Sequence, residues 1–124
     1  MIRNLVLALL VAASTPAIAG NADIDYKEVL SSNNANLTYL AIGMTKAKVV
    51  EVMKSFTTTL HSAQYTNPFR IDALQKDGET YAVLFYLTRA HPPFTPIRES
   101  QATPVVLKNG VVVGWGPAAM QSLR

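Results

Sequence analysis

The chain has 124 residues, with 11 Lys or Arg against 8 Asp or Glu, 2 His and no Cys. The missing Cys excludes thiol catalysis, thiolate zinc sites, disulfides and a lipid-modified Cys. The charge balance is mildly positive and its Lys and Arg are scattered, which excludes a nucleic-acid footprint.

In chain order, Met1-Ile2-Arg3-Asn4 is a short basic start and Leu5 to Ala13 an apolar run. Ala17-Ile18-Ala19 follows as a small-x-small pattern before Gly20. This reads as a secretory signal peptide over 1–19, cleaved between Ala19 and Gly20. The run is about half the length that spans a bilayer, so no integral membrane anchor is expected. The exported remainder, about a hundred residues, is enough for one small domain. Its expected place is the periplasm, or outside the cell.

Residues 20–33 read as a polar lead-in with one helical turn around Tyr26–Leu30, and the domain proper as 34–124. Asn33 and Asn34 are N-cap candidates for a first helix, with Leu37, Leu40, Ala41 and Met44 on one face. Gly43 fits the left-handed position that ends a helix. Thr45 reads as the cap of a second helix carrying Val49, Val50, Met53 and Phe56. Thr57-Thr58-Thr59 disfavours further helix, because β-branched side chains lose freedom there.

From Phe69 the period becomes two. Phe69, Ile71 and Ala73 alternate with Arg70, Asp72 and Leu74, and Asp77-Gly78 marks a hairpin turn. Thr80–Thr88 is the longest strand signal. Two further strands, 104–108 and 111–115, flank Asn109-Gly110, a strong hairpin signal. The expected fold is therefore α+β, with two N-terminal helices packed on one face of a three- to four-stranded antiparallel sheet. Between the strands, Ala90 to Thr103 carries three prolines. A loop of this length is either functional or disordered.

Two stretches resemble a known family. Leu40-Ala41-Ile42-Gly43-Met44-Thr45, continuing to Met53, is similar to the helix–helix junction of SmpA/OmlA-like domains. Thr103 to Gly116 resembles the closing hairpin of an exported subgroup of that fold. The resemblance implies a small bacterial envelope protein. The family's lipoproteins carry an acylated Cys at the mature N-terminus, where this chain has Gly20-Asn21.

Few residues point to chemistry. His61 and His91 lie in different segments, without metal-ligand spacing, and read as separate surface histidines. The serines sit in no nucleophile-elbow context, and no Gly-rich phosphate loop exists. No catalytic residue, cofactor or metal is expected. The stronger signal is a surface. Tyr81, Val83, Phe85 and Leu87 form an apolar face suited to lie under the helices. Leu84 and Tyr86 then fall on the opposite face, where Phe94, Ile97 and Trp115 extend a partner surface. The alternative is that the loop, or Met120 and Leu123, folds over that face.

The expected function is a non-enzymatic, exported protein–protein interaction module. Its partner is an envelope or periplasmic protein, or a second copy of itself. The alternative is an inhibitor of an exported hydrolase, on the plan of β-lactamase-inhibitor domains. A small hydrolase or ligand carrier would need a histidine beside a carboxylate in a cleft.

Overall fold

The computed structural model describes residues 25–124. The expected leader, its Ala19/Gly20 junction and residues 20–24 lie outside the described residues. Helix α1 runs over Tyr26–Leu37 and α2 over Lys46–Met53. Strands β1 (Phe56–Leu60) and β2 (Ala63–Asn67) form a separate two-stranded antiparallel hairpin. Strands β3 (Arg70–Lys76), β4 (Glu79–Leu87), β5 (Ala102–Lys108) and β6 (Val111–Trp115) form an antiparallel meander, in the order β3-β4-β5-β6. A short helix α3 closes the chain at Pro117–Gln121.

This corrects the expected architecture. Among the described residues there are three α-helices and two sheets, not two helices on one sheet. The large sheet is covered on both faces. On one face Leu84, Tyr86, Val105, Leu107 and Val112 pack against Leu40 and the α2 residues Val49 and Met53. On the other, Val83, Phe85 and Val106 pack against Ala119, Met120 and Leu123, from α3 and the turn after it. Residues 83–88 of β4 and its end are accordingly buried in an unbroken run. A strand buried on both faces reads as continuous apolar sequence rather than alternation, and Ala82-Val83-Leu84-Phe85-Tyr86-Leu87 is such a run.

The first helix is also shifted from its expected place. Asn33 and Asn34 do not cap it but lie inside it, and it ends at Leu37. Their amides are engaged by tertiary partners instead. Asn34 Nδ2 donates to Leu30 O at 2.8 Å and to Thr88 O at 2.9 Å. Asn33 Nδ2 donates to Leu87 O at 2.8 Å and to Asn67 Oδ1 at 3.0 Å. Leu37, Leu40 and Met44 still reach the core, but from a helix end and the turns beyond it. The second helix begins as expected, with Thr45 Oγ1 accepting the Lys48 N–H at 3.2 Å. Phe56, expected on its stripe, instead opens β1.

A buried polar knot ties α1, α2 and the small hairpin to the large sheet. Asn67 Oδ1 accepts from Asn33 and, at 2.5 Å, from the Tyr65 hydroxyl. Its Nδ2 donates to the carbonyls of Met53 (3.1 Å) and Lys54 (2.8 Å) at the end of α2. The Asn67-Pro68 peptide is cis. Burial pushes the Tyr65 phenol up to about 12. None of the three described helices is long and apolar enough to cross a membrane.

Candidate functional site

Of the residues expected to form a partner surface, Leu84 and Tyr86 are fully buried under the α2 layer. They are core, not surface, because the helices lie on their face and α3 takes the opposite one. Trp115 is half-buried and packs against the same cluster. Phe94 and Ile97 stand elsewhere, on the proline loop. Phe94 is 86% exposed, the most exposed large apolar side chain among the described residues.

The loop is built from both ends inward. At its base the N–H groups of Thr88 and Arg89 both donate to Gln101 O at 3.0 Å. Gln101 also holds Arg98, through N–H to Arg98 O (2.9 Å) and through its side chain to the Arg98 N–H (2.8 Å). Residues 89–101 thus leave and return at one point, the form of a compact Ω-loop. Ile97 then packs against a cluster of Val29, Leu60, Tyr65 and Leu87. Thr95 Oγ1 closes the tip by donating to Pro92 O at 2.7 Å.

The other anchor is His91, and here the two histidines turn out not to be separate. The His61 and His91 rings lie with centroids 5.3 Å apart, at an interplanar angle of 75°. Tyr26 of α1 packs against both, at 4.4 Å from His61 and 5.5 Å from His91. The Tyr26 hydroxyl accepts the His91 backbone N–H at 2.7 Å and lies 2.9 Å from its Nδ1. The same hydroxyl lies 3.5 Å from the His91 carbonyl oxygen, to which it donates. Burial, and secondarily the nearby His61, hold the His91 pKa below the ordinary imidazole value. The His61 Nε2 is buried without a hydrogen-bond partner among the described residues.

Backbone strain gathers at the same end of the molecule. His61 (φ 49°), Ser62 (φ 66°) and Phe94 (φ 64°) all occupy the left-handed region. For residues other than Gly, Asn or Asp this conformation costs about 1–2 kcal/mol each. His61 and Ser62 form the turn of the β1–β2 hairpin, and Phe94 forms the tip of the loop. A groove of about 310 Å³ separates hairpin and loop. Leu60, Tyr65 and Phe69 line one side, and His91, Thr95 and Ile97 the other.

The arrangement fastens the loop to α1. The Tyr26–His91 bonds are spent on anchoring the loop, and no carboxylate is hydrogen-bonded to either ring among the described residues. Nor, among the described residues, do three or more His, Asp or Glu converge there as a metal cluster. The hydrophobicity of Phe94 and Ile97 in a proline run was readable in sequence. The His61–Tyr26–His91 contact was not, since Tyr26 and His91 lie 65 positions apart.

A family model described as "Protein of unknown function (DUF3192)" matches residues 8–122, and the chain belongs to that family. The match covers both stretches that resembled SmpA/OmlA-like domains, and it replaces that assignment. The resembling residues perform general turn and cap chemistry: Gly43 at φ 90°, Thr45 as a cap, Asn109-Gly110 as a hairpin turn. Any fold with such a helix start and hairpin selects them. No curated protein and no solved structure matches the chain.

Proposed function

We propose that this member of the DUF3192 family is an exported, non-catalytic protein-binding module that works through the loop at 90–98, with Phe94 as its contact residue. The observation that carries this reading is the state of Phe94. It is 86% exposed, in a left-handed conformation, at the tip of a loop fastened on both sides. Water disfavours the apolar ring and sterics disfavour the backbone, so neither local term explains the placement. Strain held by its surroundings points to function, and aromatic anchors on rigid supports carry a large share of binding energy. The leader-like 1–19 segment supports export, with an envelope or periplasmic protein as the partner.

Pull-down from periplasmic extract with wild type and Phe94→Ser tests it. The exposed position leaves thermal melting unchanged, while the partner is recovered at least about tenfold less, a loss of about 1.4 kcal/mol. Equal recovery by both proteins would remove the loop from the account. A second reading is favoured by the same protruding ring: insertion of the loop into the active-site cleft of an exported hydrolase. A partner that is a hydrolase, and loses activity when bound, would select that reading.

A further inference from the structure

On the sheet face covered by α3, outside the loop's contact surface, lies a cleft of about 480 Å³. That volume falls within the range of small-ligand sites, about 300–1,000 Å³. Its apolar lining includes Phe85, which is buried, together with Pro104, Pro117 and Met120. Arg89, Ser100 and Gln121 add polar groups to the same cleft.

Glu99 and Arg124 also line the cleft, and its charges are unequally satisfied. Glu99 accepts from Arg70 and from Arg124, each at 2.8 Å, on its two different oxygens. Arg70 is further engaged by Asp72 (3.0 Å) and lies over the Phe85 ring at 4.1 Å. The Arg89 guanidinium has no ion pair or hydrogen bond among the described residues, although its backbone is fixed through Gln101. The Ser100 hydroxyl and the Gln121 amide are likewise free of side-chain partners there. The cleft therefore offers one uncommitted guanidinium and two neutral polar groups beside an apolar wall. A guanidinium fork matches a carboxylate bidentately.

We infer that this cleft captures the C-terminal end of a peptide, with Arg89 on its free α-carboxylate and the last side chain against Phe85 and Met120. The mixed lining favours a peptide over an acyl chain. Ser100 and Gln121 can pair with backbone amides, which a hydrocarbon would leave unsatisfied.

The test uses the exported chain on a solid support and a mixed-sequence tetrapeptide library, offered with free C-terminal carboxylates and again as amides. The expected result is at least tenfold greater retention of the free acids, lost in Arg89→Gln and partly kept in Arg89→Lys. Gln121→Trp, which fills the cleft from its exposed side, abolishes retention with the melting temperature unchanged. Equal retention of acids and amides, no retention of either, or an Arg89→Gln variant that binds as wild type would overturn the inference. Decanoate is the competing carboxylate. Binding of decanoate as tight as that of the best free-acid peptide would place an acyl chain there and also overturn it.

Discussion

At the scale of the residue, Asn67 and His91 are two polar groups that tie separate elements together. Asn67 satisfies four partners at once: the Asn33 amide, the Tyr65 hydroxyl and two carbonyls at the end of α2. Asn67→Ala leaves a buried phenol and two carbonyls wanting partners. Each orphaned group costs about 1–3 kcal/mol, and partial relaxation brings the expected loss to about 2–4 kcal/mol. Asn36→Ala, which removes one 3.4 Å bond to Ser32, is the control and changes stability by less than about 0.5 kcal/mol. Urea unfolding of both variants checks this. For His91 the sign follows from its lowered pKa, caused first by burial and then by His61. The folded state favours the neutral ring. The stability it contributes is therefore complete above the ordinary value of 6.5 and is lost as pH falls through the depressed one. Between about pH 7.5 and pH 5, wild type should lose more stability than His91→Gln, because only wild type must charge a ring beside His61. Equal losses would contradict the loop anchor described above.

At the scale of the element, turns decide what was legible. Both residues of Asp77-Gly78 and of Asn109-Gly110 have positive φ, and both hairpins were readable because those residue pairs tolerate it. The third two-residue turn, His61-Ser62, adopts the same backbone without a glycine or asparagine. Its hairpin was therefore silent in sequence, where Phe56 is expected on the second helix and Thr57-Thr58-Thr59 only disfavours further helix. The α1 boundary was misplaced for a different reason: Asn33 and Asn34 carry cap-forming side chains that tertiary partners occupy. The cleft residues were no more legible, since Arg89 and Glu99 meet through the bonds to Gln101, and Gln121 joins them only through the docking of α3. That docking rests on Gly114 of β6. A Cβ there would meet the Ala119 Cβ at 3.2 Å, closer than ordinary packing. Gly114→Val should push α3 from the sheet, lower stability by about 1–3 kcal/mol and speed hydrogen exchange in Val83 and Val106 beneath it. Exchange unchanged at those positions would show that α3 tolerates the crowding.

At the scale of the molecule, the sheet lies between α2 and α3, and its apolar faces are both consumed by the core. That moves the proposed interaction surface from the sheet to the loop. Leu84 and Tyr86 became interior once two layers were present, and the length of the buried β4 run was the signal that one layer was not enough. What remains exposed and apolar at the proposed site is Phe94, raised on a loop that Tyr26, His91, Ile97 and Gln101 hold in place. The central claim is that this ring meets a partner after export. Site-specific photo-crosslinking in living cells tests it most directly, with the photoreactive residue at position 94 or 95 and, as controls, at Glu28 and Gln75. The account predicts one and the same adduct from 94 and 95, in the exported fraction, and none from the controls. No adduct from position 94, or the same adduct from every position, would contradict it.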